Sequence, residues 1–185
     1  ITVATAGATY YSRSSGNVGD AIWATTPTGT AGAATFNATA SMVVQAGHTV
    51  GATASTAVKK LTVESGATLA LSSGTTFTVN GDEAIFDGAL TAPDNSTLAL
   101  AGSTATILGS DGGPLNLWNL TVNTPQGTLT DATIAIRGTL QLDAGVFDAS
   151  IAHITLRSQA AGTGRLGPVG ATASYTGDIT MERYI

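Results

Sequence analysis

The sequence predicts an all-β fold, a right-handed parallel β-helix (β-solenoid) with an irregular, aromatic-bearing N-terminal cap, and three observations predict it. The first is alternation. Within residues 61–80, LTVESGATLALSSGTTFTVN, apolar residues fall at every second position in short runs: Leu61 and Val63, Leu69 and Leu71, Phe77 and Val79. Gly66 and Gly74 punctuate the runs, which is the pattern of short half-buried strands. The second observation is repetition: the same phrase returns as MVVQAGHTV, FTVNG, LALAGST, LTVNTPQGTL and LQLDAGVF. The third is that no segment sustains a 3.6-residue period, so helix should be minimal. An antiparallel sandwich is the rival fold, because Asn80-Gly81 would also suit a hairpin. The shortness of the strands and the recurrence of the phrase favour the solenoid.

Composition narrows the class. The 185 residues form one sizeable core and need no second domain. Charged residues make up 10%, against a usual ~25%, and there are 23 glycines. No apolar run approaches the ~20 residues of a membrane-spanning helix. Val, Ile and Leu are too plentiful for a disordered chain. What remains is a β-rich chain covered by Thr, Ser and Ala, a surface that suits an extracellular protein. The net charge of −5 excludes the basic patch that a nucleic-acid partner requires, and disfavours an anionic membrane surface. Cysteine is absent, which removes disulfides and thiolate metal sites. The sequence opens at Ile1 without Met, so a processed or trimmed N-terminus is expected.

Taken in order, residues 1–41 differ from the rest. They hold Tyr10, Tyr11 and Trp23 with many glycines and no lasting alternation, and are read as a capping segment for the open end of a solenoid core. A carbohydrate-stacking platform is the functional alternative for the same aromatics, and packing outweighs it. Residues 42–185 are read as the solenoid. Its inward pairs are Met42 and Val44, Leu61 and Val63, Phe77 and Val79, Leu98 and Leu100, Leu120 and Val122, Ile134 and Ile136, Leu140 and Leu142, Ile154 and Leu156, and Ile179 and Met181. Some intervals are near 20 residues, which fits one coil, and shorter ones suggest two strands within a coil. Corners are expected at Asn80-Gly81, Asp87-Gly88, Asp94-Asn95, Asp111-Gly112-Gly113 and Gln126-Gly127.

Three stretches carry a resemblance. YYSRSSGNVGDAIWATTPTG, MVVQAGHTV and the closing GDITMERYI resemble the YYSR-like start, the V-V-x-x-G-H-T-V phrase and the V-T-V-E-R-Y-I ending of β-solenoid repeat modules in large proteins that bacteria export by the type IX secretion route. The resemblance covers most of the chain and is most specific at its two ends. Val18 departs from it, standing where the family often has its first tryptophan, so the cap is expected to pack differently there. The chain is also similar to the G-rich domain near the start of some extracellular β-helix proteins. The resemblance implies a secreted or surface-displayed solenoid, usually non-catalytic, within adhesins or multidomain proteins.

The search for chemistry returns little. His48 and His153 lie far apart in sequence, each inside a strand phrase with no accompanying carboxylate motif, and are read as structural. No nucleophile elbow, phosphate loop, dinucleotide fingerprint or H-E-x-x-H occurs. Asp82, Glu83 and Asp87 form the densest acidic group and Asp143 with Asp148 another. Such groups could supply the acid and base of glycoside hydrolysis or bind Ca²⁺ near Asp82 and Asp87, but neither has a calcium-loop pattern, and solvated turn residues are the preferred reading. Sequons at Asn37, Asn95 and Asn119 arise easily in a Thr-rich chain. Thr62, Thr78, Ala99, Thr121, Ala135, Gln141, Thr155 and Thr180 form a partial outward Thr row, readable as an ice- or glycan-binding face; strand propensity explains it more simply.

These readings make the chain a non-catalytic structural or adhesive β-solenoid segment of a secreted or cell-surface bacterial protein, with no cofactor, metal or catalytic residue assigned. A glycan- or ice-binding module is the alternative, and a polysaccharide-active enzyme ranks third. The partners expected are other copies of the chain or downstream domains of its parent, and surface glycans. The strand Ile179–Ile185, carrying Tyr184 and Ile185, is expected to pair with another polypeptide and to promote end-to-end fibres.

Overall fold

The computed structural model describes residues 7–81, 83–103, 106–110, 113–130, 133–160 and 162–183. It is a β-solenoid of about six coils, and no helix occurs among the described residues. Each coil has three faces. The first full coil runs through Ser41–Val44, Thr49–Ala52 and Thr56–Val58, and the second through Lys60–Val63, Thr68–Leu71 and Thr76–Val79. The third runs through Glu83–Phe86, Ala89–Thr91 and Thr97–Leu100. Strands of successive coils pair in parallel, so each face grows as a ladder. Antiparallel pairing among the described strands is confined to Thr9–Ser12 with Trp23–Ala24 and to a small hairpin, Ser158–Gln159 with Gly162–Thr163. The parallel ladders exclude the sandwich; Asn80-Gly81 is a corner from the third face to the first, with the Asn80 N–H donating to Val58 O at 2.8 Å.

Period-2 alternation places like residues over like. On the third face Val58, Val79, Leu100, Val122 and Leu142 stack in register, beside Phe77, Leu98, Leu120 and Leu140. On the first face Tyr10, Met42, Leu61, Ala84, Leu108 and Leu129 do the same. On the second, Leu115, Ile134 and Ile154 form one column, Leu117, Ile136 and Leu156 another. All of these are buried. Each such Leu or Ile contributes roughly 1.5–3 kcal/mol by leaving water, which makes the column the principal source of stability.

The tight corners are β-turns with a left-handed third residue. In Gln45–His48, Glu64–Ala67 and Ser72–Thr75 that residue is Gly47, Gly66 or Gly74, at φ 79°, 77° and 74°; in Pro93–Ser96 it is Asn95, at 63°. A side chain is strained at such φ values, and glycine and asparagine tolerate them best. Two of the turns also bring a hydroxyl indoors. Thr75 Oγ1 donates to Ser72 O at 2.7 Å and Ser96 Oγ to Pro93 O at 2.6 Å, which satisfies buried donors without a water.

In the upper coils two strands, Asn119–Thr130 and Thr139–Asp148, run from the third face across a corner onto the first, so these faces join into one sheet. The corner is a bend with register shifts after Val122 and Asn123. Gln126-Gly127 therefore lies inside a continuous strand and is not the separate corner expected, because Pro125 and the shifted register turn the chain without breaking its ladder. Of the expected Asp111-Gly112-Gly113 corner only Gly113 is described, at φ 109°, and the first two residues lie outside the described residues.

Two further expectations change. Met181 is in register with inward-facing Leu156 but is 68% exposed, and Ile179 above Ile154 is half-buried. An inward position is buried only when another layer covers it, and none of the described residues does. The observed strand is Ile179–Met181; Tyr184 and Ile185 lie outside the described residues. The outward Thr row also divides. Thr62 is on the first face, Thr78, Ala99, Thr121 and Gln141 on the third, and Ala135, Thr155 and Thr180 on the second. Sequence spacing gives the parity of a residue in its strand, not the face its strand occupies.

Candidate functional site

Two of the three aromatics of the N-terminal motif are committed to packing, and Tyr11 is half-buried. Tyr10 and Trp23 are buried and each meets the Phe36 ring edge-on, at centroid distances of 5.5 and 4.7 Å. They close the core and cannot act as a stacking platform. The Trp23 indole N–H donates to Val18 O at 2.9 Å, and Val18 packs on the core. Arg13 ties down the following loop, its Nε donating to Gly29 O at 3.0 Å and its Nη1 reaching Pro27 O.

Ser12 Oγ lies 2.8 Å from His48 Nδ1 and accepts the Gln45 N–H at 2.9 Å. This is the spacing of a nucleophile and base, but Ser12 is fully buried, so no substrate carbon can reach it. The pair joins the cap to the GHTV turn. His153 stands on the second face beside Thr133, about five coils higher, or roughly 24 Å away at the spacing of stacked strands, so the two histidines are not brought together.

The carboxylates are similarly dispersed. Asp82 lies outside the described residues, Glu83 pairs with Lys60 across the first face, and Asp87 sits at the next corner with Oδ1 buried and unpartnered. Asp143 accepts from Gln141 Nε2 at 2.8 Å. The Ser150 hydroxyl and backbone N–H, bonded to the Asp148 carboxylate, hold its pKa below 3.8. Among the described residues no three His, Cys, Asp or Glu side chains converge as a metal site. The sequon asparagines have local duties: Asn37 accepts from the Thr39 N–H and hydroxyl, Asn95 makes its turn, and Asn119 bridges Thr139 and Thr97.

A different group comes together at the corner between the second and third faces. Low in the rod this corner is a full turn, Pro93–Ser96. In the next coil it shrinks to Trp118 alone, between Leu115–Leu117 and Asn119–Thr130, and above that to Arg137-Gly138. In the coil above, it expands into the Ser158–Thr163 hairpin. Short corners between two long ones leave a recess, a cleft of about 370 Å³ lined by Asn95, Trp118, Arg137, Thr139, Thr163 and Arg165, with Asn119, Gly138 and Gly162 completing it. Its volume falls in the roughly 300–1,000 Å³ range of small-ligand sites.

The cleft is locally well defined. Arg137 lies over the indole of Trp118, 5.7 Å from the ring centroid, and its Nη2 donates to Ala92 O at 2.9 Å. Gly138 keeps the indole edge open, since a Cβ there would come within 2.7 Å of the Trp118 Nε1. Asn119 accepts the Thr139 N–H at 2.9 Å and fixes the floor. Sequence reading missed Trp118, Arg137 and Arg165. The signal was present in their spacing, about one coil apart, once Asn119 and Thr139 are recognised as successive strand starts. Compared with known protein families, with curated proteins and with solved structures, the chain matches none.

Proposed function

We propose that the chain is a non-catalytic structural or adhesive β-solenoid segment of a secreted or cell-surface bacterial protein, exported by the type IX route. The supporting observation is how fully the recurrent phrases serve the scaffold: their apolar residues fill the columns, and their glycines make the corners. The YYSR-like start and GHTV phrase interlock through Ser12 and His48, and Glu182 of the ERYI-like ending pairs with Arg157 at 3.3 Å. A repeat architecture of this kind presents long flat faces on a stiff rod, which suits display and adhesion better than turnover. Stacking onto more of the same polypeptide or onto a neighbouring copy belongs to the proposal, and would cover Leu166, Val169 and Met181, the exposed apolar residues of the last coil.

Surface labelling tests the proposal. Antibody against the chain should bind intact host cells, protease treatment should remove it, and disabling type IX export should retain it inside. Retention of the protein inside unmodified cells overturns the reading. For assembly, light scattering and electron microscopy of the 185-residue chain should show end-to-end particles that disappear when residues 179–185 are deleted.

A further inference from the structure

The cleft at the corner between the second and third faces contains polar groups that the scaffold leaves unused. Arg137 Nε is buried without a hydrogen-bond partner, although its Nη2 is fixed to Ala92 O. Arg165 is exposed, and neither it nor the Trp118 indole N–H has a hydrogen-bond partner among the described residues. Among the described residues no Asp or Glu lines the cleft, and two of the chain's five arginines line it in a molecule of net charge −5. The buried Nε itself is out of a ligand's reach, and an acceptor of opposite charge would meet the Arg137 guanidinium where it lines the cleft.

We propose that this cleft binds a carboxylate-bearing saccharide, a uronate unit of an acidic polysaccharide. The guanidinium groups of Arg137 and Arg165 offer planar, paired donors that match a carboxylate. The indole of Trp118 gives an apolar surface to a sugar ring and an N–H to one of its oxygens. Asn95, Thr139 and Thr163 contribute amide and hydroxyl groups that can exchange hydrogen bonds with ring hydroxyls. A bare anion would leave the indole unused, and a neutral sugar would leave both charges unused. The proposal goes beyond the structural reading and stands on the cleft alone; surface labelling can succeed or fail whatever the cleft binds.

The test is a titration of the 185-residue chain, at low salt, with a short oligogalacturonate or oligomannuronate and with a neutral oligosaccharide of equal length, read by calorimetry and by tryptophan emission. Trp23 is buried in the cap, so a change in emission reports Trp118. The acidic oligosaccharide should bind saturably and more weakly as salt rises. Arg165→Gln should weaken it by about tenfold or more while leaving the thermal unfolding midpoint in place, because the Arg165 side chain is exposed and has no hydrogen-bond partner among the described residues. Trp118→Phe should abolish the emission change. The proposal is overturned if neither acidic oligosaccharide binds at about 1 mM, the weak end of measurable affinity. It is equally overturned if the neutral sugar binds as well, if Arg165→Gln changes nothing, or if inorganic phosphate displaces the uronate at equal concentration.

Discussion

From Ser41 to Leu100 each face of the rod is a separate strand of three or four residues, and the chain turns between the first two faces, and between the second and third, in compact bends. From Asn119 to Asp148 two strands cross a corner unbroken. Both regions stack the same kind of apolar column, and both bury it. They differ in where the backbone is crowded. The lower turns carry left-handed residues that project into solvent: a Cβ on Gly47 or Gly74 would meet nothing within 4 Å. The upper bend tucks its left-handed glycine inward, and a Cβ on Gly145, at φ 79°, would come within 1.9 Å of Thr124 O. The same dihedral therefore has a conformational cost in one region and a steric one in the other. The cleft belongs to this upper region, since corners of unequal length are what create it.

The most disruptive way to probe the contrast is Gly145→Ala. Backbone strain adds to a clash with a fixed carbonyl, so a loss of more than about 4 kcal/mol, or failure to fold, is expected in urea unfolding. Gly74→Ala has the strain without the clash and should cost about 1–2 kcal/mol. Equal losses at the two positions would remove the distinction between the regions. In the columns common to both, Leu100→Ala and Leu142→Ala should each cost about 2–5 kcal/mol, and Val63→Ala about 1–3. Thr62→Ala, one position out of phase and facing away from the core, should cost less than about 0.5 kcal/mol; a loss matching Val63→Ala would contradict the alternation. Ser96→Ala should cost about 1 kcal/mol by removing the hydroxyl's bond to Pro93 O, which keeps only the Ser96 N–H at 3.1 Å.

The smallest effect is at Asp148, in the upper region. Its folded pKa is depressed below 3.8 by the Ser150 hydroxyl and N–H. Its contribution is therefore present above that value and lost as pH falls through the folded pKa. Asp148→Asn should remove this small contribution at neutral pH and flatten the acid end of the pH–stability curve, so that the two proteins converge as the pH falls. Curves that stay parallel down through the acid range would show that the charge of the carboxylate contributes nothing.

Much of this fold is legible in the sequence because alternation is a local property. Every inward pair from Met42 to Leu156 is buried, since a strand that hides one face must place every second residue inward. The cap aromatics were legible for a similar reason: Tyr10 and Trp23 are too large to be left wet beside an open core. The site was harder to see. Trp118 and Arg137 lie at corners and Arg165 opens the two-residue strand Arg165–Leu166, all places where alternation is too short to read, and nothing local distinguishes a side chain there that faces a recess from one that faces bulk water.

The sequence by itself determined that the chain is a stack of short strands, which residues of each point inward, and that glycine or asparagine must occupy the tight turns. Those facts depend on the two-residue pleat and on φ, which act within a few residues. Only the tertiary structure decided which face each strand occupies, so that one apparent Thr row became three. It also decided that Gln126-Gly127 continues a strand and that Trp118 and two arginines share a cleft. These outcomes depend on how many residues each coil spends on each corner relative to the coils above and below it, and that comparison exists only once the coils are stacked.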